Sequence, residues 1–349
     1  MMTGRADNNS DTFIFMNRPV KKSASMRDAL DEFHDLQAGY TQKTQEERVR
    51  DQPLLVSRFY DFVTRFYEYG WGTSFHFAPR IEGETLASSQ YRQEKELAEL
   101  LGLHKGMLVA DIGCGIGGPL VNIANISGAR ITGVNISEIQ IQRGRELVRQ
   151  AGLEESCDFL HADYLHVPLA DDHFDALYSF EAICHASDRL AVLKELFRIL
   201  KPGGQVGIVD WCLTEDFDPD NSSHQHLRSR FEYANATPDL FTVQQQQDAM
   251  AEAGFDLLYS VDQSLSCDPV TPWYMALQSR DFSIPSFARS PAGRSVVAFT
   301  TRLLEVLRIA PAGTAETSRL LNCAADTLVE AGKLGIFTPS FLVHARKPV

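Results

Sequence analysis

The chain has 349 residues, 44% of them apolar and 23% charged, which is enough for one large or two modest domains with an ample core. Its formal charge of −13 argues against nucleic acid as a partner, because phosphate contacts need a basic face. No apolar run reaches the roughly eighteen residues of a membrane span, so any membrane contact is expected to be peripheral.

Six cysteines stand singly at 114, 157, 184, 212, 267 and 323, with no C-x-x-C pair and no secretory segment. Reduced thiols in a cytosol-facing, non-secreted protein follow, and no metal site is expected.

Residues 1–25 are polar and rich in small side chains, and mobility is expected there. Met26 to Gly39 reads as a short helix through Leu30, Phe33 and Leu36, and 41–52 as a polar connection. After Pro53 the side chains Leu54, Leu55, Val56, Phe59, Phe62, Val63 and Phe66 crowd one helix-length stretch. It runs into the block Tyr67-Glu68-Tyr69-Gly70-Trp71-Gly72-Thr73-Ser74-Phe75-His76-Phe77. Rings interleaved with glycines suit a ligand-facing loop or a packed aromatic corner, and composition alone does not choose. Glu84 to Leu101 reads as a helix closed by Gly102.

Leu108 to Ile112 is an apolar run fit for a buried parallel strand, and the turn after it is glycine-rich: Gly113, Cys114, Gly115, Ile116, Gly117, Gly118, Pro119. The spacing satisfies G-x-G-x-x-G, which leaves a nicotinamide or flavin enzyme open. Asp111 argues otherwise, since an acid there repels a pyrophosphate and suits a cationic ligand bearing an amino group. The segment resembles the glycine loop of S-adenosylmethionine (SAM) methyltransferases.

Arg130 to Val134 reads as a second strand ending at Asn135, whose amide can still bond a ribose diol. Ser137 with Gln140 reads as a capping box, and Cys157 to His161 as a third strand followed by Asp163 and Tyr164, an acid and a ring for an adenine. Asp175 to Phe180 is the fourth strand, with Glu181-Ala182-Ile183-Cys184-His185 at its carboxyl end; a helix there would put Glu181 and His185 on one face. A helix at 188–200, a strand at 205–211, a helix at 242–254 and a strand at 255–259 continue the alternation that marks a parallel sheet covered on both sides. Residues 263–336 interrupt it with Pro272-Trp273-Tyr274 and helices over 291–309 and 314–332. The apolar face of the first, Val296, Val297, Phe299, Leu303, Leu304 and Leu307, could line an apolar pocket, lie on a membrane or pack on the sheet, and packing is expected. Ser340 to Arg346 closes the chain as a strand.

From about residue 13 onward the chain resembles the sterol 24-C-methyltransferase family. Four blocks carry this: Tyr67 to Phe77, Asp111 to Pro119, Glu181 to Ala186, and Phe337-Thr338-Pro339 through Ala345-Arg346-Lys347-Pro348. The resemblance implies an α/β fold, a doubly wound, mostly parallel seven-stranded sheet. Around it the expected divisions are a helical and aromatic segment (1–80), a SAM-binding core (81–262), a helical insertion on the substrate side (263–336) and a last strand (337–349). It further implies methyl transfer from SAM to the side-chain double bond of a sterol or related triterpenoid, with homo-oligomers and a peripheral seat on an endoplasmic-reticulum or other membrane compatible with it. Carried over by position, Asp111, Gly113, Cys114, Gly115, Gly117, Asn135, Gln140, Asp163 and Tyr164 contact SAM. Glu68, Glu181 and His185 are the catalytic set. Tyr67, Tyr69, Trp71, Phe75, Trp273 and Tyr274 face the acceptor. The sequence departs from the pattern at 137–142, 268–275 and 284–290. Another lipid acceptor, or a SAM-binding protein without catalysis, is the rival reading.

Overall fold

Strand β1 (Leu108–Ile112) pairs in parallel with β2 (Arg130–Asn135) on one side and β4 (Phe174–Phe180) on the other. The computed structural model describes residues 25–278 and 291–349. The segments 1–24, expected to be mobile, and 284–290, which departs from the family pattern, lie outside the described residues.

With β3 (Cys157–His161), β5 (Leu200–Leu213), β6 (Asp256–Asp262) and β7 (Phe337–Arg346), the strands form a seven-stranded sheet of order β3-β2-β1-β4-β5-β7-β6. Only β7 runs against its neighbours, β5 and β6. The strand order reverses between β1 and β4, so a crevice opens at their carboxyl ends, where doubly wound sheets hold ligands.

Alternate side chains of each strand feed two cores. Val109, Ile131, Tyr178 and Val209 pack under α3 (Leu86–Leu100), α4 (Gly118–Ser127) and α5 (Glu138–Ala151). Ala110, Leu177 and Ile208 pack under α6 (Arg189–Ile199) and α8 (Val243–Glu252). This two-residue alternation is the strand period expressed on both faces.

In front of the carboxyl edge stand α1 (Met26–Gln37) and α2 (Gln45–Trp71), joined by Ala29, Leu30 and Phe33 against Leu55, Phe59 and Phe62. Residues 45–52 are not the expected connection. Thr44 and Glu47 form a reciprocal capping box that starts α2 two turns before Pro53, and the proline's missing N–H costs one bond inside an otherwise continuous helix. A further helix, α7 (Ser222–Asn235), has too few buried apolar positions, Leu227, Phe231 and Ala234 among them, to show in the sequence. It packs against α11 (Thr314–Leu334). A short α9 (Met275–Gln278) and α10 (Pro291–Val306) also rest on α11.

The expectation that α10 packs its apolar face on the sheet is overturned. Val297 and Leu304 turn inward, but Val296, Phe299, Leu303 and Val306 are exposed, Phe299 to 71% and Val306 to 74%. Their spacing at i, i+3, i+7 and i+10 puts them in one outward stripe.

Gly118 ties the glycine turn to the aromatic block. A Cβ there would stand 2.2 Å from the Thr73 carbonyl oxygen and 2.8 Å from the Ser74 nitrogen. Gly118→Ala is therefore expected to destabilise by about 1–3 kcal/mol. Gly70→Ala, inside α2 with nothing within 4 Å of the new Cβ, should stabilise by up to about 1 kcal/mol. Thermal unfolding of the pair checks both, and equal shifts would contradict the packing.

Candidate active site

Two hollows, of about 910 and 1090 Å³, meet at the sheet's carboxyl edge. Phe75, His76 and Glu181 border both, so they form the partition between a polar lobe over the glycine turn and an aromatic lobe under α2 and α11.

The polar lobe is built by the turn after β1. Gly113, at φ +72°, lets the turn pass Ala182, whose Cβ would sit 2.2 Å from any added side chain. The Gly113 and Cys114 amides both donate to the Val134 carbonyl, which pins the turn to β2. Asp111, Gly113, Cys114, Gly115, Asn135, Gln140, Asp163 and Tyr164 all line this lobe. Gly117 does not; at φ +83° it is the N-cap of α4 and leaves room for the Phe159 ring.

Asp111 is 1% exposed, and its Oδ2 has no hydrogen-bond partner among the described residues. Burial pushes its carboxyl up to about 8. Asp163 is also raised by burial, although its Oδ1 accepts from the Leu165 amide at 2.9 Å. An unpartnered carboxylate oxygen on a glycine turn fits the ammonium and sulfonium charges of SAM, and Asp163 beside Tyr164 fits an amine and a π face.

Asn135 and Gln140 are already occupied. The Asn135 amide nitrogen donates to the Gly115 carbonyl and to Gln140 Oε1, both at 2.9 Å, while its oxygen accepts from the Ser137 amide. Gln140 Nε2 donates to Thr64 Oγ1 at 3.3 Å. The expected capping box is thus half made: Ser137 accepts from the Gln140 amide, but the Gln140 side chain turns away to bridge the turn to α2.

At the partition, Glu181 sits at φ +49°, a left-handed position that stores roughly 1–3 kcal/mol in a non-glycine residue. Its Oε1 accepts from the Phe77 amide at 2.5 Å and its Oε2 from Trp211 Nε1 at 2.7 Å. Burial nevertheless holds its carboxyl well above the usual range. A bulge in the β5–β7 pairing between Asp210 and Cys212 lies at Trp211. The expected helix carrying Glu181 and His185 is absent: the strand ends in the left-handed Glu181, and 183–185 is a single 3-10 turn. His185 still lines the polar lobe, with Nδ1 3.1 Å from the Ala236 carbonyl and Nε2 2.9 Å from the Tyr60 hydroxyl. Burial pushes its imidazole down to about 4.

Tyr67, Tyr69, Trp71, Phe75, Phe77 and Trp211 line the aromatic lobe. Three side chains expected at the site are elsewhere. Glu68 points off the other side of α2 into an ion pair with Arg143 of α5, 2.8 Å to Nε, and borders neither hollow. Trp273 and Tyr274 pack against Gly332 of α11, where an added Cβ would meet them at 2.7 and 2.5 Å, so they shape the wall from behind. Tyr178 of β4, the register partner of Asp111, is fully buried and borders neither hollow. Reading from sequence missed Tyr60 and Trp211. The signals were there: Tyr60 precedes Tyr67 by two helical turns, and Trp211 ends a strand at the ligand-holding edge.

A sheet of this order with a glycine turn and a buried acid at the end of β1 defines a class I SAM-dependent methyltransferase. A methyltransferase-domain family model matches residues 110–208, and a sterol methyltransferase C-terminal model matches 284–349. The chain is 42% identical over 324 residues to a cycloartenol-C-24-methyltransferase of Oryza sativa subsp. japonica, covering 93% of each. It is 34% identical to a sterol 24-C-methyltransferase of Saccharomyces cerevisiae, covering 94% of this chain and 88% of that one. The geranyl diphosphate C-methyltransferase of Streptomyces coelicolor A3(2), solved with S-adenosyl-L-homocysteine, shares the fold at a TM-score of 0.63 and 16% identity, over 85% of this chain and 98% of that one. The chain belongs to the sterol 24-C-methyltransferase family.

Asp111 carries a stability signature. It is protonated in the fold up to about pH 8 but ionises near 3.8 in the unfolded chain. Its contribution is therefore complete below pH 3.8 and is lost as pH rises through 8. Asp111→Asn is expected to flatten part of that slope, so that the empty variant melts above the parent at pH 8. It should bind SAM roughly tenfold or more weakly. SAM binding by the parent at pH 7 should release protons, measured by calorimetry in buffers of different ionisation enthalpy. Equal heats in all buffers would contradict the assignment.

Proposed function

We propose that this enzyme adds the methyl group of SAM to C-24 of a sterol side chain, with the polar lobe holding SAM, the aromatic lobe holding the side chain, and the partition as the place of transfer. The observation that carries this reading is the shared wall: Glu181 faces both lobes. Asp111, Asp163, Tyr164 and the Gly113–Gly115 turn hold the cofactor, with Asn135 and Gln140 keeping the turn rigid. SAM bound there supplies an electrophilic methyl group on a positively charged sulfur.

An alkene needs no base to attack, because its π electrons are the nucleophile, but it becomes a carbocation that water must not reach. Tyr67, Trp71, Phe75 and Phe77 offer ring faces to that cation, and each ring excludes water from the lobe. Glu181 supplies the compensating charge. Two N–H donors fix its carboxylate in place before the cation forms, which is the arrangement that lowers a barrier most. Its raised pKa falls when a cation stands beside it, so ionisation accompanies ligand binding. Glu68 acts at a distance, by joining α2 to α5 through Arg143.

We also propose α10 as the peripheral membrane contact. Its outward apolar stripe flanks Val297, which lines the aromatic lobe. Arg302 and Arg308 are exposed beside the stripe, while the helix's Glu305 is turned inward onto the Gly313 and Ala315 amides. An apolar and cationic patch on a protein of charge −13 suits a bilayer carrying anionic lipid. No helix among the described residues is long and apolar enough to cross a membrane.

Glu181→Gln is expected to lower kcat by roughly a hundredfold or more while leaving SAM affinity within a few-fold. Glu68→Gln should retain turnover within about tenfold, since an ion pair that is partly exposed contributes little. Labelled-SAM assays on a panel of Δ24 sterols measure both, and full activity of Glu181→Gln would refute the partition mechanism. For the membrane, Phe299→Asp with Leu303→Asp should abolish flotation on vesicles containing phosphatidylserine and sterol. Unchanged flotation, or a dimer in size-exclusion chromatography that the same variant splits, would show another occupant of the stripe.

A further inference from the structure

The carbocation left by methyl transfer must lose a proton, and His185 cannot take it directly. The Ala236 carbonyl only accepts, so His185 Nδ1 carries the ring's hydrogen and donates it there at 3.1 Å. Nε2 is then the lone-pair nitrogen, and the Tyr60 hydroxyl donates to it at 2.9 Å. Both nitrogens are therefore engaged, and Tyr60 stands between Nε2 and the rest of the lobe. Tyr60 itself lines the cavity, and His185 is the one hydrogen-bond partner of its hydroxyl among the described residues, so the phenol oxygen keeps lone pairs free toward a ligand.

The surroundings fix this pair. The Gln52 amide nitrogen bonds both the His185 carbonyl, at 2.7 Å, and the Ala236 carbonyl, at 3.2 Å. Ala236 closes α7 in the left-handed region at φ +54°, which turns its carbonyl toward the imidazole. Tyr60 packs edge-on against His185 at 5.5 Å and against Tyr67 at 6.4 Å, so a ring of the aromatic lobe touches the relay. A strained residue whose carbonyl sets a tautomer is strain spent at a functional place.

The geometry points to a Tyr60–His185 relay as the base that regenerates the alkene, an inference that rests on the function proposed above. The C–H bond next to the cationic carbon breaks, and its electron pair becomes the new C=C bond. That proton bonds to Tyr60 Oη as the phenol's own proton passes to His185 Nε2. Tyr60 ends neutral and His185 ends as imidazolium, and the reverse transfer returns the proton to water after product leaves. The low basicity of the buried imidazole suits this task. It is unprotonated at rest, and the hydrogens beside a carbocation are acidic enough for a weak base.

Tyr60→Phe, His185→Gln and the double variant, each checked for folding by thermal unfolding and for SAM affinity, test the relay by product partition rather than rate alone. The parent should give one alkene from a Δ24 sterol. Each single variant should shift product roughly tenfold or more toward isomeric alkenes and the tertiary alcohol formed when water captures the cation. The double variant should shift it no further, because the two residues act as one unit. An unchanged product ratio in either folded single variant overturns the relay, even where kcat falls, since a structural role slows turnover without redirecting the proton. If the parent methylates no sterol at all, the function proposed above fails and the relay with it, an outcome distinct from a parent that works and variants that partition as it does.

Discussion

Two carboxyl groups buried without a cation are the constraint on which this structure depends. Asp111 and Glu181 stand at the ends of neighbouring strands, both raised by burial, and neither hollow has a lysine or arginine lining it among the described residues. Leaving charges uncompensated in a low-dielectric crevice is costly. The protein meets the cost by holding both carboxyls protonated, with two N–H donors offsetting part of it at Glu181. A positively charged ligand removes the remainder, so the site suits a cation: SAM and, in the proposed reaction, the one that forms.

The two lobes are mechanically one object. Gly118 lets the start of α4 touch Thr73, Gln90 Nε2 bonds the Ser74 and His76 carbonyls at 2.8 and 2.7 Å, and Glu94 gathers Ser74, His76 and Asn122. Phe77 then hands its amide to Glu181. The segment that walls the aromatic lobe is thereby held by α3 and α4, the same helices that cover the sheet beneath the glycine turn. A shift at the cofactor turn is felt at the aromatic wall through the close backbone approach at Gly118 and the buried hydrogen bonds of Gln90 and Glu94.

Much of this was legible in the sequence because its signals are local. The run Leu108 to Ile112, the glycine turn and the alternation of strand and helix announce the sheet, and Asp111 argued for a cationic ligand over a pyrophosphate. What escaped depended on which way side chains face after tertiary packing. Glu68 lies between two site tyrosines in sequence, yet one helical step of about 100° turns it to Arg143. Trp273 and Tyr274 have the composition of a ligand wall but fill space against Gly332. The stripe of α10 is indistinguishable by periodicity from a core-facing one, because amphipathicity shows that a helix has an apolar side and not what that side meets. Tyr60 was hidden among the phenylalanines of α2, where its hydroxyl carries no pattern of its own.

The position of Glu181 shows why the partition has to be a strand end and not a helix. In a helix its carboxylate would lean back over the preceding turn and lie beside His185, placing the charge and the proton acceptor on the same spot. The left-handed break after β4 separates them. Glu181 is directed between the lobes toward Phe77 and Trp211, while the 3-10 turn carries His185 back toward α2 and Tyr60. In the proposed reaction, a cation generated between them meets the Glu181 carboxyl on one side and the proton acceptor on another, with aromatic rings in the remaining directions. Under that proposal, merging the two positions would neutralise the carboxylate with the very proton that the reaction must expel, and the left-handed break at Glu181 keeps charge stabilisation and deprotonation apart.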